Sequence, residues 1–293
     1  MDAALDYIDA RFGKALLRKE PKISEMKQEF LIARSRLPIA KPPPKISEPN
    51  SAPHLGHGTF RWSIGRGAET LPSTNDGFTD LSVRFALHSE VDPTIGYPPR
   101  SDVEFMHIIG HIYDAQPRSS VSPRQNLDPE IEEVRLIEVQ NLVPYDSNFP
   151  HWSWKFRVGG EETHDTALCS RCFSGVNEAA FGLTWVPNFI SSFTAYALVD
   201  SQLNIGDFLG GSASLALGPM VGFRQVWNPR FVSTLEELSF VEIHSADRIF
   251  GSRFRFDTEY SLINNLSFFM SGMWINSPTA GGQMIEAGLR IFR

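Results

Sequence analysis

The sequence lacks any long hydrophobic segment: its 293 residues contain no run of about eighteen apolar residues, the length that a membrane-spanning helix needs. This absence excludes a helical membrane protein. It does not exclude a transmembrane β-barrel, whose polar lumen dilutes its mean hydropathy. The first twenty residues are charged and amphipathic and lack the apolar core of a secretory signal peptide. If the chain is a barrel, we therefore expect a mature form or the C-terminal part of a longer precursor.

Cysteine and positive charge are also scarce. The formal net charge is -7, which disfavours nucleic acid as a partner. The two cysteines, Cys169 and Cys172, make half a zinc site at best and fall in a long predicted loop. The two residues could form a local disulfide, remain free thiols or bind a metal. An oxidising compartment favours the disulfide. We predict neither a cofactor nor a metal site.

Aromatic residues are abundant, with 22 Phe and 6 Trp, and many lie where apolar and polar residues alternate. The clearest alternation runs over residues 252–262. Successive side chains of a β-strand point to opposite faces, so this segment has one apolar and one charged face. The apolar face carries Phe254, Phe256, Thr258, Tyr260 and Leu262. The charged face carries Arg253, Arg255, Asp257 and Glu259.

The same alternation recurs over the C-terminal two-thirds of the chain and predicts an all-β fold. We predict an antiparallel up-and-down transmembrane β-barrel of about twelve strands in the bacterial outer membrane, with its apolar face towards the lipid bilayer. A cytoplasmic β-protein with two packed sheets around an aromatic core is the alternative. The predicted strands lie near residues 57–66, 77–88, 101–113, 130–142, 151–159, 176–186, 191–200, 213–227, 230–245, 250–262, 265–276 and 283–292.

The region before the strands is predicted to be a short helical arm, residues 1–40. Apolar residues recur there at helical spacing, with Pro21 as an interruption and Ser24 as the N-cap of a second helix. Residues 41–52 form a Pro-rich linker, and residues 53–293 form the barrel domain. We expect the arm to lie outside the lumen, on the side where the strand run begins and ends.

The connections between predicted strands alternate in length. Short ones, such as Asn228-Pro229 and Asn264-Asn265, fall at the rim that holds both ends of the strand run. Longer ones, such as residues 68–77, fall at the opposite rim. Outer-membrane barrels have short periplasmic turns and longer outer loops, so the first rim is predicted to face the periplasm. Two connections on that rim, near 89–100 and 143–150, are not minimal turns.

Histidine and carboxylate side chains converge on this predicted periplasmic rim. His54 and His57 begin the first strand, whereas His88 and Asp92 end the second, and antiparallel neighbours bring these positions together. Such groups could bind a metal or act as acid and base. Their spacing matches no standard site, and a hydrogen-bonded rim network is the alternative. The candidate rim site consists of His54, His57, Arg61, His88, Asp92, Tyr97 and His151.

Charged residues of both signs are predicted to line the lumen. An isolated charge inside a barrel is costly unless it is paired or hydrated. The mixed signs therefore indicate salt bridges that fill a narrow bore, and a selective polar channel is the alternative. The predicted lumen charges are Arg253, Arg255, Asp257, Glu259, Glu286 and Arg290.

Three blocks of the sequence resemble a known family: PHLGH at 53–57, HSEVDPTIGYPP at 88–99 and HWSWK at 151–155. They are similar to the C-terminal outer-membrane barrel region of a largely uncharacterised bacterial family. Longer members of that family carry a preceding periplasmic, papain-like domain of the Lnb type. The resemblance covers roughly residues 2–292 and implies a barrel next to a cysteine-dependent periplasmic domain. That domain, with its nucleophile, is missing here.

Three functions follow as hypotheses. In the first, the barrel anchors, orients or supplies substrate to a periplasmic enzyme domain or partner. In the second, its periplasmic rim completes the active site of an envelope hydrolase or acyltransferase, while the isolated chain is not expected to be catalytic. In the third, the barrel is a small-solute pore. The expected partners are the lipid bilayer and the papain-like domain, which lies in the same precursor or in a separate chain.

Overall fold

The computed structural model divides the chain into two units, residues 1–49 and residues 50–293. Each unit is described by itself, and the predicted domain boundaries and the predicted position of the arm stay predictions. The residues that the structure describes are 2–18, 20–37, 56–71, 74–97, 100–114, 128–148, 150–163, 172–187, 192–206, 213–244, 247–277 and 281–293.

The N-terminal unit contains two helices, α1 (Asp2–Leu17) and α2 (Pro21–Ser35). Ile8 is buried within this unit. The second helix begins at Pro21 and not after Ser24, so the predicted N-cap was wrong. Proline suits the first helical position because its fixed φ fits the helix and its missing N–H is not needed there. Neither described helix is long and apolar enough to cross a membrane.

Within the described residues, twelve strands form a closed antiparallel barrel in which β1 pairs with β12. This arrangement confirms the predicted fold class and excludes two packed sheets. Because the strand number is even, β1 begins and β12 ends at one edge, which we call the termini rim. The opposite edge is the far rim. The strands are β1 (Arg61–Leu71), β2 (Thr74–His88), β3 (Ser101–Tyr113), β4 (Asp128–Asn141), β5 (Ser153–Thr163), β6 (Cys172–Trp185), β7 (Phe193–Ile205), β8 (Ala213–Asn228), β9 (Phe231–His244), β10 (Asp247–Ile263), β11 (Leu266–Asn276) and β12 (Gly281–Phe292).

The outer surface of the barrel is apolar. Phe181, Val199 and Phe250 expose 60%, 67% and 65% of their area, and exposed aromatic and aliphatic residues occur on every strand. A soluble monomer rarely exposes a continuous apolar surface, whereas a bilayer requires one. The barrel is therefore of the outer-membrane type. The aromatic residues that were predicted to face lipid share this surface, either exposed or half-buried: Phe254, Phe256, Tyr260, Phe268 and Trp274.

The predicted difference in length between the connections of the two rims is not observed. The predicted loop at 68–77 is mostly strand, because β1 continues to Leu71 and β2 begins at Thr74. On the same far rim, only residues 245–246 separate β9 from β10. The sequence pattern ended β1 too early because Gly65 and Gly67 interrupt the alternation. Loop length therefore does not identify the periplasmic side.

Two irregularities change which residues face the lumen. In β3, Met106 has a positive φ of 47°, and both Phe105 and Met106 are exposed, so the inward alternation skips one position. A positive φ is uncommon for a residue other than glycine. In β4, the pairing register shifts between Arg135 and Ile137. Such bulges rotate the side chains that follow them, which explains why period-two alternation could not assign the faces of residues 130–142.

Three of the predicted lumen residues form polar contacts between strands: Glu259, Glu286 and Arg290. Glu259 of β10 is 1% exposed and forms an ion pair with Arg290 of β12, with 2.5 Å between Oε2 and Nη1. The Ser267 hydroxyl also donates to Glu259. Glu286 of β12 accepts a hydrogen bond from the Ser271 hydroxyl of β11 at 2.6 Å. Polar contacts inside the barrel therefore join β10, β11 and β12.

The other predicted lumen charges lie nearer the middle of the bore. Arg255 donates from Nε to Asp257 Oδ2 of its own strand at 2.7 Å, rather than to a neighbouring strand. Arg253 donates to the side-chain amide oxygen of Gln202 at 3.4 Å. The Arg255 side chain is 45% exposed although it points into the barrel. Water therefore reaches the middle of the lumen.

A larger ion-pair network, which the sequence did not reveal, lies on β4, β5 and β6. Arg157 contacts Glu178 at 2.8 Å, Glu133 at 2.9 Å and Glu161 at 2.7 Å. Lys155 lies 3.1 Å from Glu178. These groups are largely buried, and a buried charge needs such partners. The network cross-links three strands through the lumen.

Apolar side chains of β6 to β9 form a packed cluster on the inner wall, beside the polar residues of the same strands. Gly222 illustrates its close packing: a Cβ atom there would lie 2.0 Å from Cζ of Tyr196, so the aromatic ring occupies the space that a side chain would need. The Tyr196 hydroxyl donates to Glu236 at 2.9 Å. The apolar cluster comprises Leu142, Ala180, Tyr196, Leu198, Ala216, Met220, Leu238 and Phe240.

Candidate functional site

Four neighbouring strands place basic side chains at one level of the lumen, near the termini rim. The register sets Arg61 of β1 opposite Arg84 of β2, Arg84 opposite His107 of β3, and His107 opposite Arg135 of β4. All four residues are more than nine-tenths buried. Buried cations this close together are costly unless carboxylates lie between them. Two carboxylates do so, one from the barrel wall and one from a connection.

Glu104 is the carboxylate of the wall. It accepts from Arg84 Nη1 at 3.0 Å and from Arg135 Nη1 at 2.9 Å. His107 Nδ1 lies 3.0 Å from Glu104 Oε2, and its Nε2 lies 3.1 Å from Arg61 Nη2. Because a guanidinium can only donate, Nε2 is the acceptor and Nδ1 carries the proton that is donated to Glu104. Both nitrogens of His107 are therefore engaged.

Asp92 is the second carboxylate, and it belongs to the connection between β2 and β3. It accepts from Arg84 Nη2 at 2.5 Å, from Arg61 Nη1 at 3.2 Å, and from the backbone N–H and hydroxyl of Ser89 at 2.9 and 2.8 Å. Burial would raise the pKa of Asp92, but Arg84 and Arg61 outweigh burial and hold that pKa well below its usual range. Asp92 is therefore a charged tie between the connection and the barrel wall.

The connection that carries Asp92 crosses the opening of the barrel. We call residues 89–97 the rim loop. The backbone oxygen of Glu90 accepts from Arg224 Nε of β8 at 2.8 Å, and its carboxylate accepts from Gln140 of β4 at 2.8 Å. The backbone N–H of Thr94 donates to the oxygen of Pro229, between β8 and β9, at 3.3 Å. Since β2 and β8 lie far apart around the barrel, the rim loop spans the bore at the termini rim.

Aromatic rings pack beside the ion pairs. The His57 ring lies 4.6 Å from the Tyr97 ring and 4.1 Å from the Phe292 ring, and the His88 ring lies 4.7 Å from Tyr97. The Tyr97 hydroxyl donates to the backbone oxygen of His57 at 2.7 Å, and His88 Nε2 lies 3.1 Å from the Ser101 hydroxyl. Tyr97 thus joins the end of the rim loop to the residues before β1 and to the end of β2, and His57 in turn contacts Phe292 at the end of β12.

The structure brings together five residues of the candidate rim site: His57, Arg61, His88, Asp92 and Tyr97. His54 lies outside the described residues. His151 is exposed in the connection before β5. Cys169 also lies outside the described residues, as does the side chain of Cys172, so the disulfide stays a prediction.

We define the rim cluster as His57, Arg61, Arg84, His88, Asp92, Glu104, His107 and Arg135. Four of its members were not part of the predicted rim site: Arg84, Glu104, His107 and Arg135. Arg84 could have been found, because it lies on the inward side of a regular alternation with Ser82 and Asp80. His107 and Arg135 lie next to the two irregularities in β3 and β4, where alternation gives no reliable face.

The rim loop also carries a carboxyl group with an unusual proton affinity. Burial raises the pKa of Glu90 to about 7, and the nearby Glu236 carboxylate adds to this effect. Lys155, Arg224 and the Gln140 amide act in the opposite direction. Glu90 therefore changes its charge near neutral pH, at a position where the loop contacts two opposite strands.

We expect the rim loop to be held more weakly at pH 8.5 than at pH 5.5. The docked loop binds the Glu90 proton more tightly than a released loop does, so docking loses stability as pH rises from about 4.5 towards 7. The measurement is the labelling rate of Thr234→Cys by a water-soluble thiol reagent, with Cys169 and Cys172 replaced by Ser. Thr234 is buried and lines the cavity behind the loop.

Glu90→Gln is the matched variant, because its side-chain oxygen can still accept from Gln140. Both proteins carry Thr234→Cys, and dividing the labelling rate with Glu90 by the rate with Glu90→Gln cancels the ordinary effect of pH on thiol reactivity. This ratio should rise between pH 5.5 and pH 8.5. A constant ratio would show that Glu90 does not control docking.

Two cavities lie in the lumen beyond the rim loop, with volumes of about 80 and about 120 Å³. The first is lined in part by Glu90 and Val91 of the loop, and the second extends towards the far rim. Both are lined by Lys155, Arg255 and Glu286. Each has room for several water molecules. The lumen is thus hydrated, and the rim loop forms the boundary of this water on the termini side.

The rim cluster is suited to holding a loop rather than to covalent catalysis. His107 is engaged at both ring nitrogens, and the Ser89 hydroxyl donates to Asp92 instead of to a base. A nucleophile needs a base that is free to take its proton. Ser89 and His107 do not form such a pair.

Residues 50–289 of the chain match a protein-family model described as "Domain of unknown function (DUF7840)". The chain belongs to the DUF7840 family. The matched region is almost the whole barrel unit, including the rim loop. Among curated proteins, none matches the sequence.

Solved structures that resemble the DUF7840 barrel are distant. The NanC porin gives a TM-score of 0.43 at 8% identity, covering 78% of this chain and 99% of that chain. The β domain of the Bordetella autotransporter BrkA gives 0.41 at 8% identity, with 81% and 100% covered. The KdgM porin in complex with disordered oligogalacturonate gives 0.38 at 8% identity, with 79% and 99% covered. These values carry no inference about function.

Proposed function

We propose that this outer-membrane barrel anchors and orients a periplasmic papain-like domain or partner, and that its termini rim faces the periplasm. The observation that carries the proposal is the rim loop. It crosses the bore and is fixed by buried ion pairs of Asp92 with Arg84 and Arg61. A loop held in this way turns the mouth of a barrel into a defined surface, which suits a docking platform better than a free pore.

The same rim offers groups that could contact a partner. The connection between β4 and β5 exposes Tyr145 by 50% and Trp152 by 67%, and His151 between them in sequence is also exposed. The backbone of Tyr145 is fixed by a hydrogen bond from its N–H to the oxygen of Thr184 at 2.8 Å. Aromatic residues on a rigid backbone are frequent anchors of protein interfaces. They lie on the side of the barrel where the chain enters β1.

The test is to co-express the chain with the papain-like domain of a longer family member, supplied as a separate tagged periplasmic protein. The domain should sediment with outer membranes when the chain is present and stay soluble when it is absent. A Tyr145→Ala/Trp152→Ala double variant should weaken this association at least about tenfold, because interface aromatics often contribute 2 kcal/mol or more.

Phe250→Ala is the matched control, since Phe250 is an aromatic residue exposed by 65% near the far rim. It should leave association unchanged. A domain that stays soluble in the presence of the folded barrel would contradict the proposal. Turnover of an envelope substrate by the isolated chain would instead favour the barrel as a catalytic part of a hydrolase or acyltransferase.

A small-solute pore is the second candidate, and the hydrated lumen favours it. Arg255 is 45% exposed to the interior, and two cavities follow one another along the bore. Planar-bilayer recording separates the two functions. The anchoring proposal expects no sustained conductance from the purified chain, whereas stable porin-like steps would establish the pore.

A further inference from the structure

Three potential ligand groups face one another beneath the barrel seam, away from the rim cluster. They are Asp80 of β2, His111 of β3 and Glu286 of β12, and one ligand atom of each lies within 4.8 Å of the others. Asp80 and His111 are directly opposite in the pairing register. Glu286 belongs to a strand on the far side of β1. The group therefore bridges the first and last parts of the barrel chain.

Two glycine residues of β1 separate the strands that carry Asp80 and Glu286. The register sets Gly65 opposite Asp80 on one side, and Gly67 opposite Glu286 on the other. Neither glycine has a side chain that would project into the lumen between the two carboxylates. Aromatic rings pack against these two glycines: a Cβ atom at Gly67 would lie 2.3 Å from Cζ of Phe78, and one at Gly65 would lie 3.1 Å from Cζ of Phe269.

The two carboxylates lack the cations that neutralise the other buried acids. Asp80 is 3% exposed, and among the described residues it has no ion pair with Arg or Lys and no hydrogen bond. Glu286 Oε2 is also buried, and it has no hydrogen-bond partner among the residues that the structure describes. The nearby Arg290 donates to Glu259 instead. Two adjacent carboxylates without an Arg or Lys in direct contact are an unfavourable arrangement that a bound cation would relieve.

His111 is oriented as a metal ligand usually is. Its Nε2 faces Asp80 Oδ1 at 3.8 Å, while Nδ1 on the opposite side of the ring lies 3.5 Å from the Tyr113 hydroxyl and, at ion-pair distance, 3.4 Å from Glu132 Oε2. A carboxylate on the second nitrogen fixes the tautomer and raises the basicity of a ligating histidine. The Phe78 ring stacks on His111 at 3.9 Å and fixes its plane. The Ser271 hydroxyl similarly orients Glu286.

We propose that Asp80, His111 and Glu286 bind a divalent first-row transition-metal ion, with Zn²⁺ as the best match to one imidazole and two carboxylates. Ligand atoms around a four-coordinate zinc stand roughly 3.3 Å apart, so modest side-chain rotations close the site. The fourth position faces the lumen water, because Asp80 lines the first cavity and Glu286 lines both. The site is independent of the anchoring role and of the rim cluster.

The experiment uses the folded full chain in detergent, treated with chelator and then titrated with ZnCl₂ by calorimetry. We expect one ion per chain and a higher melting temperature in its presence, because the ion binds the folded state alone. Glu286→Gln, which keeps the acceptor for Ser271, should weaken binding by more than about 100-fold. Glu132→Gln should weaken it by about 10–100-fold, the usual effect of losing a carboxylate behind a ligating histidine.

His151→Asn is the control, because this exposed histidine lies outside the site, and its affinity should equal that of the parent. If Glu286→Gln fails to fold, the visible spectrum of the parent with Co²⁺ decides, since an N/O site gives bands that aqueous Co²⁺ lacks. The proposal is overturned if the parent binds neither ion at 100-fold molar excess. It is equally overturned if folded Glu286→Gln binds Zn²⁺ as tightly as the parent. The close approach of Asp80 and Glu286 would then be explained by one proton shared between the two carboxyl groups.

Discussion

Replacing the rim loop, residues 89–97, by a short Gly-Ser segment is expected to raise the labelling rate of Thr234→Cys by well over tenfold. The thiol would lie in the first lumen cavity, which the loop bounds through Glu90 and Val91. In the parent, a reagent in water reaches it from this side only when the loop opens locally. The labelling rate then measures the population of the open state. Removing the loop makes that state permanent.

Asp92→Asn is the milder version of this experiment and keeps the shape of the loop. Each hydrogen bond to a charged group stabilises by about 1.5–3 kcal/mol, and Asp92 accepts such bonds from Arg84 and Arg61. Losing the charge should therefore increase the open population by about tenfold or more. Equal labelling in the parent and in both variants would show that the loop does not close the bore.

Arg84→Met is expected to lower the free energy of unfolding by about 3–5 kcal/mol. Arg84 is fully buried and contacts Asp92 at 2.5 Å and Glu104 at 3.0 Å. Removing one partner of a buried ion pair leaves the others uncompensated in a medium that solvates charge poorly, and this is the usual magnitude. Urea unfolding in phospholipid vesicles, followed by tryptophan fluorescence, gives the value.

Arg66→Met is the matched control for Arg84→Met. Arg66 also pairs with a carboxylate, Asp114, but its side chain is 58% exposed at the far rim. An exposed pair contributes about 0–1 kcal/mol, so this variant should unfold nearly like the parent. Equal effects of Arg84→Met and Arg66→Met would contradict the buried network.

Alternation of residues was sufficient to predict the barrel, because each strand that faces lipid on one side and water on the other repeats with period two. Residues 252–262 show this best, and their faces are as predicted. Strand ends were less predictable: Gly65 and Gly67 broke the pattern of β1 although the strand continues through them. Glycine has no side chain to report which face it occupies.

The candidate site was only partly predictable for a different reason. His57, His88 and Asp92 could be placed together because chain direction alone brings the start of β1 beside the end of β2. Asp92 contacts Arg84 and Arg61 because the rim loop folds over the barrel opening, which the alternation does not reveal, and His107 lies beyond the irregular residue Met106. No local pattern reveals that the rim loop reaches Arg224 on β8, since that contact joins residues far apart in sequence.

The pairing of β1 with β12 has a consequence for how the chain folds. These two strands are joined by ten antiparallel pairs from Arg61↔Phe292 to Thr70↔Gln283, and the backbones of Phe60 and Arg293 extend the seam with reciprocal hydrogen bonds at 3.1 and 2.8 Å. The seam therefore demands the longest loop closure in the barrel. Until β12 pairs with it, β1 presents an unpaired edge that can join another chain. Closure of the barrel thus depends on this single pairing, and an intermediate that lacks it is exposed to aggregation.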